Sequence, residues 1–160
     1  MTITPEVPTV DLSREFFHVC DRRYTPGTVK PPGTYGALAS AAPAQEVADD
    51  PLGEHLRERV REEHYPHKPS RFASTFVWES LQDAKDFRDN LRPGAHIYRV
   101  RFINPSAAVH RICFTAFRMP SSSLEPPATV LAHDFWRSLA VYEQGNEVFA
   151  ESAVEILGIA

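Results

Sequence analysis

His18, Glu147, the arginines and the pair His64 and His67 are the side chains whose types and settings admit chemistry. His18 lies inside an apolar run, Phe16-Phe17-His18-Val19-Cys20, just ahead of Asp21-Arg22. An imidazole there is either a satisfied core histidine or a ligand-binding one whose ring nitrogen anchors a hydroxyl or carboxamide. Glu147 follows Gly145-Asn146 and opens a short terminal strand, so its carboxylate is set to project at the strand's edge. A plain surface glutamate is the competing reading. Basic side chains are mostly arginine, with lysine only at Lys30, Lys68 and Lys85. A guanidinium grips phosphate with two parallel donors, which leaves a local phosphate site open. His64-Tyr65-Pro66-His67 sets two histidines three apart beside Glu63. Pro66 intervenes and no second ligand pair has matching spacing, so we read a solvated loop after a helix and no metal site.

Common catalytic and cofactor signatures are missing. There is no Walker-type glycine loop, no Gly-x-Gly-x-x-Gly, no Gly-x-Ser-x-Gly and no His-Glu-x-x-His. The two cysteines, Cys20 and Cys113, stand too far apart for a zinc knuckle and lie in apolar runs, which reads as two buried, reduced thiols. A net charge of −4 gives no general attraction for nucleic acid. No run approaches the ~18 apolar residues of a membrane span. The first residues lack the charged start and apolar core of a signal peptide, so the expected location is cytoplasmic.

The chain has 160 residues, enough for one domain with one core. Its 14 prolines divide it into short elements. Residues 1–10 read as a loose arm and residues 15–21 as a first strand. Residues 22–39, with Pro26-Gly27, Pro31-Pro32-Gly33 and Tyr35-Gly36, read as an extended loop, and residues 40–52 as a small, polar stretch. Residues 51–64 have helical spacing, with Leu52, Leu56 and Val60 on one face and Glu54, Arg57, Glu58, Arg61 and Glu62 on a solvated one. A strand over 73–78 precedes a helix over 81–91, capped by Ser80 with Asp83 three residues on and buried through Leu81, Ala84 and Phe87. Strands over 95–103 and 108–117 are joined by Asn104-Pro105-Ser106. A loop over 121–127 leads to a helix over 130–142, with Leu131, Phe135, Leu139 and Tyr142 at helical spacing. Two terminal strands, 147–150 and 153–157, close the chain. Runs of strands with scattered short helices predict an α+β fold.

Three stretches carry a family resemblance. Phe16-Phe17-His18-Val19-Cys20-Asp21-Arg22, followed by a Pro/Gly loop, resembles the opening of the ADP-ribosyltransferase-like fold, where a first-strand histidine holds the NAD ribose. Ser70-Arg71-Phe72-Ala73-Ser74-Thr75-Phe76-Val77-Trp78-Glu79-Ser80, running into Leu81 to Phe87, is similar to that fold's second motif: a strand bearing an aromatic residue, then a capped helix with Asp83-Ala84 in its first turn. Asp134-Phe135-Trp136 to Gly145-Asn146-Glu147-Val148-Phe149, then Ala153 to Ile156, looks like the third motif, where a glutamate begins a strand. Together they span most of the chain. They look closest to bacterial families of unassigned function that share Arg-x-x-Ser-x-Phe, here Arg71, Ser74 and Phe76. Two positions depart from the pattern: the usual Gly-Thr after the histidine is Val19-Cys20, and the usual second-motif tyrosine is Phe76.

The resemblance implies an α+β fold with a split mixed or antiparallel sheet and short flanking helices. It also implies transfer of ADP-ribose from NAD to an acceptor, with nicotinamide released, in a toxin, defence protein or modifier. Glu147 is then the catalytic residue, holding the ribose 2′-hydroxyl and favouring the cationic sugar that develops as nicotinamide leaves. His18 binds the ribose, Phe76 stacks under nicotinamide, Arg22 or Arg71 meets the pyrophosphate, and Ser74 completes the binding set. For Arg71 and Ser74 the competing role is loop and strand hydrogen bonding; for Phe76 and Trp78, which share a strand face, it is core packing. Phe76 and Val19-Cys20 favour an alternative, a non-catalytic protein that binds a nucleotide or ADP-ribose. Removal of a 2′-phosphate from RNA with NAD needs a basic groove, which the charge of −4 opposes. A pure interaction protein would use the helix over 51–64, whose apolar stripe is narrow. The acceptor is set by loops of no fixed motif.

Overall fold

A computed structural model of the chain describes residues 10–35, 53–114, 128–137 and 145–160. Outside these fall the expected arm over 1–10 except for Val10, residues 36–39 of the expected loop, the whole polar stretch 40–52, residues 115–117 of the strand expected over 108–117, the loop 121–127, and Leu139 and Tyr142 of the last helix. The strands are β1 (Phe16–Cys20), β2 (Val29–Lys30), β3 (Thr75–Trp78), β4 (His96–Phe102), β5 (Val109–Cys113), β6 (Asn146–Ala150) and β7 (Val154–Ile159). The helices are α1 (Glu54–His64), α2 (Leu81–Leu91) and α3 (Ala128–Arg137), with a 3-10 turn at Arg71–Ala73. This is an α+β fold. Its strands form one sheet in the order β2-β7-β4-β1-β3-β6-β5, and every described pairing is antiparallel.

Two halves of that sheet meet at a single residue pair. β1 pairs with β4 along its whole length, Phe16↔Val100 to Cys20↔His96. On its other side it touches β3 only at Phe17↔Trp78. Beyond that pair the strands separate, and the cavity described below opens where the ladder stops. The halves are tied by one buried cluster that draws Phe16, Tyr98, Val100 and Ile156 from one side and Val77, Val148 and Ala150 from the other. A second cluster packs α1 and α3 on β5 and β6 through Val60, Phe135, Trp136, Ile112 and Phe149. A third packs α2 on β3 and β4 through Ala84, Trp78 and Ile97. Successive strand residues face opposite sides, so Ile97 and Tyr98 enter different clusters.

The expected starts of the helices hold where local chemistry sets them. Ser80 accepts the Asp83 N–H at 3.1 Å, a cap worth about 1 kcal/mol. Elsewhere tertiary contacts override the sequence pattern. The stretch read as loop over 22–39 contains β2, paired Val29↔Glu155 and Lys30↔Val154. Gly27, at φ +89°, turns the chain back and donates its N–H to the Ile156 carbonyl, while the Ile156 N–H bonds Thr28. The last strand runs to Ile159 because its end pairs with β4 at Tyr98. On α1 the charged face expected in solvent is partly interior: Glu54, Arg57 and Val60 are its buried residues. α3 turns this face inward, with the Trp136 indole N–H donated to the Arg57 carbonyl at 2.8 Å. Both cysteines are buried. Among the described residues no helix is long and apolar enough to cross a membrane.

Candidate functional site

The cleft between β1 and β3 is a cavity of about 980 Å³. That is the upper end of the size range of small-molecule and cofactor sites, roughly 300–1,000 Å³. His18, Arg22, Arg71, Ser74, Phe76 and Glu147 all line it. They come from β1, the turn after it, the 3-10 turn, β3 and β6, so the sheet topology brings together residues far apart in the chain. Cross-strand partners share a face. The registers Phe76↔Phe149 and Trp78↔Glu147 therefore put Phe76, Trp78 and Glu147 on one side of β3 and β6.

His18 is buried and both of its ring nitrogens are engaged. Nδ1 lies 2.7 Å from the Phe76 carbonyl, which the broken ladder leaves facing the cleft. Nε2 lies 2.6 Å from the Lys30 ammonium. An ammonium only donates, so Nε2 accepts and the ring proton sits on Nδ1, donated to Phe76. Burial, followed by the Lys30 charge, pushes the imidazole down to about 4. His18 is thus a neutral acceptor whose lone pair is covered by a lysine. Lys30 escaped the sequence reading because its stretch resembled a loop, and no local signal points it toward His18.

Arg71 organises the opposite wall. Its Nε donates to Glu54 at 2.8 Å and one terminal nitrogen to Glu147 at 2.9 Å. Its guanidinium carbon lies 4.6 Å from the Phe76 ring centre, 4.9 Å from Phe149 and 5.5 Å from Phe135. Arg57 approaches the other oxygen of Glu54 at 3.5 Å. Two guanidiniums and two carboxylates are therefore buried with balanced charge, the condition under which such burial is tolerated. Burial pushes the Glu147 carboxyl up, and Arg71 only partly offsets it. Burial acts the same way on Glu54, but Arg71, Arg57 and the Tyr35 hydroxyl together hold that carboxyl below its usual value. The surface reading of Glu147 is overturned: β6 is flanked by β3 and β5, and the residue is only 5 % exposed.

The remaining candidates differ in how far they are committed. Ser74 is buried, and its hydroxyl donates to the Ser70 carbonyl at 2.6 Å, closing the 3-10 turn that carries Arg71. Phe76 is partly buried, stacked by Arg71 and met edge-on by Tyr35 at 5.3 Å. Arg22 is exposed at the cavity mouth. Arg71, with two nitrogens on carboxylates, is better placed to orient Glu147 than to grip a pyrophosphate. Gly33 joins the loop to this wall: its N–H bonds the Ser74 carbonyl, it holds φ +88°, and a Cβ there would stand 3.3 Å from the Phe72 carbonyl. Sequence reasoning missed Glu54, Arg57 and Tyr35, which carry no motif. The only trace was the i, i+3 spacing of Glu54 and Arg57, which also suits a solvated face. His64 and His67 are exposed, and His64 ends α1 near Glu63. Among the described residues no group of three or more His, Cys, Asp and Glu converges as for a metal ion.

His110 sits on β5 among the Phe135, Trp136 and Phe149 rings, with Nε2 2.7 Å from the Phe135 carbonyl. Burial pushes it down to about 3. His18 and His110 are neutral in the folded chain, while an unfolded histidine takes its proton near 6.5. Below that pH the unfolded state binds more protons, so stability falls with falling pH until the folded values of about 4 and 3 are reached. Glu147, shifted upward, contributes with the opposite sign, but one carboxyl faces two histidines. Between pH 7.5 and 5.5 we expect a loss of about 2–3 kcal/mol and a Tm lower by roughly 5–10 °C. A Tm that is flat over this range in thermal melts would contradict neutral burial of both rings.

No curated protein matches the chain. A family model described as protein of unknown function (DUF2441) matches residues 42–160. Arg71, Ser74, Phe76 and Glu147 fall inside that span, whereas His18, Arg22 and Lys30 precede it. As the match covers well over half of the sequence, the chain belongs to this family, described as protein of unknown function (DUF2441).

Proposed function

We propose that the cleft binds NAD and that the protein is an ADP-ribosyltransferase-like enzyme, transferring ADP-ribose to an acceptor and releasing nicotinamide. The observation that carries this reading is convergence. Six residues chosen from three separated stretches line one cavity of about 980 Å³. An aromatic ring at Phe76 offers a stacking surface for the nicotinamide, and a buried carboxylate at Glu147 stands on the same strand face as its neighbour Trp78. In the reaction the C1′–N bond breaks and nicotinamide leaves with the electron pair. The sugar becomes cationic, and the acceptor's nucleophile attacks C1′ while its proton passes to a base. Ionised Glu147, fixed by Arg71, stabilises the developing positive charge and orders the 2′-hydroxyl.

The same geometry supports a second reading, a nucleotide-binding protein without turnover. Glu147 is already charge-paired with Arg71, and Phe76 lacks the hydroxyl of the usual tyrosine. Calorimetric titration with NAD and ADP-ribose, followed by a nicotinamide-release assay on the same sample, tests both. We expect saturable binding of NAD and slow release of nicotinamide. Binding without release selects the second reading. Binding of neither ligand removes both.

A further inference from the structure

We propose that Lys30 is the anion-binding group of the cavity and an exchangeable cap on His18: a diphosphate entering the mouth draws the Lys30 ammonium off the imidazole and so frees Nε2 to accept a hydroxyl from the same ligand. This rests on the reading of the cavity as a nucleotide site and adds to it the residue that holds the phosphates and the order in which contacts are made.

The geometry favours it in three ways. First, Lys30 is a partly buried cation with no ion-pair partner among the described residues. None of the ion pairs among the described residues involves it, and its polar contact is the neutral ring of His18, 2.6 Å away. Burying an ammonium without an anion is costly, and an incoming phosphate repays that cost. Burial already holds the lysine below its usual pKa; Cys20 opposes the shift, and Arg22 and Arg92 push in the same direction as burial. Second, those arginines line the same mouth, so positive charge gathers at one end of the cavity. Arg92 is paired with Asp21, while Arg22 has no ion-pair partner among the described residues. The far wall is different: there Glu54 and Glu147 balance Arg57 and Arg71. A ligand with an anionic centre and an uncharged or cationic end matches that polarity. Third, the tautomer is already set. With Nδ1–H held by the Phe76 carbonyl, His18 has one vacant role, acceptor at Nε2, and Lys30 occupies it. Lys30 stands on the two-residue edge strand β2, paired only with Val154, so its side chain can swing without disturbing a central strand.

The test combines a wild-type measurement with a variant. Long-range proton–nitrogen NMR of wild-type protein follows Nε2 of His18 while inorganic pyrophosphate, and separately ADP-ribose, is added. We expect both to shift Nε2, pyrophosphate toward a free acceptor and ADP-ribose toward an acceptor bonded to O–H. In calorimetry Lys30→Met is expected to weaken ADP-ribose by roughly 10- to 100-fold, while adenosine, which has no phosphate to draw the lysine away, binds no more weakly than to wild type. Lys30→Arg is expected to restore most of the loss, and thermal melts report whether each variant is folded. If ADP-ribose binds Lys30→Met as tightly as wild type, the lysine is not the anion site, while the nucleotide reading stands. If pyrophosphate shifts Nε2 but neither NAD nor ADP-ribose binds, the anion site stands and the nucleotide reading falls. An Nε2 signal unmoved by either probe overturns the cap.

Discussion

Glu147→Gln is expected to lower nicotinamide release by at least ~10²–10³-fold while the chain stays folded, the scale lost when one preorganised electrostatic group is removed from a reacting centre. Glutamine has the same shape and its carbonyl still accepts from Arg71, which lies 2.9 Å from the native carboxylate. What disappears is the negative charge that the proposed mechanism sets beside the sugar. Arg71 keeps its bond to Glu54 at 2.8 Å, so the wall persists with one uncompensated positive charge. We expect a stability loss of about 1–3 kcal/mol and NAD affinity within a few-fold of wild type. The pH profile gives an independent reading. Only the ionised carboxylate helps, and burial holds Glu147 above the ordinary value of 4.5, so activity should fall as pH drops through that raised value. The acid limb should vanish from whatever activity remains in the variant. Normal turnover by a folded Glu147→Gln protein would sink the assignment.

Arg71→Leu is expected to be the most destabilising single change in the site. The guanidinium is the common partner of Glu54 and Glu147 and lies against the rings of Phe76, Phe149 and Phe135. Leucine fills part of the space but leaves two buried carboxylates, with Arg57 the remaining cation near Glu54 among the described residues. Removing one member of a buried ion pair costs about 3–5 kcal/mol, mostly from the charge left behind. At 160 residues that corresponds to a Tm lower by roughly 6–20 °C. The sign of its pH dependence is specific. Without the arginine both carboxyl pKa values rise in the folded state, so protonation relieves the variant. Its deficit relative to wild type should therefore shrink from pH 7 to pH 5, and the two histidine contributions cancel in that difference. Chemical denaturation at both pH values checks this. A deficit below ~1 kcal/mol, or one independent of pH, would mean that the cluster is not held by charge.

The site was only partly legible in the sequence. His18 and Glu147 stood out because one interrupts and the other opens a short strand whose pattern is visible without a structure, and Phe76 because it falls in the stretch that resembles the family's second motif. Their surroundings did not, because partners such as Lys30 and Glu54 come from other segments. Glu54 and Arg57 looked like ordinary solvated helix charges, since i, i+3 spacing describes a surface pair and a buried pair equally well. β2 was missed because two residues carry no period, and its pairing is decided by β7 more than 120 positions later.

By itself the sequence determined the α+β class and the strand and helix sites marked by alternation and caps, and it marked a few residues with chemical potential, His18 and Glu147 among them. These are local properties: side-chain periodicity, proline and glycine geometry, and hydrogen bonding within a few residues. The tertiary structure decided which of those residues meet. It ended the ladder between β1 and β3 at Phe17↔Trp78, and so opened a cavity where the two half-sheets part. It also turned α1 to bury Glu54 against Arg71, and set Lys30 on His18. Such choices minimise buried charge and unpaired hydrogen-bonding groups over the whole chain, and no local pattern encodes that sum.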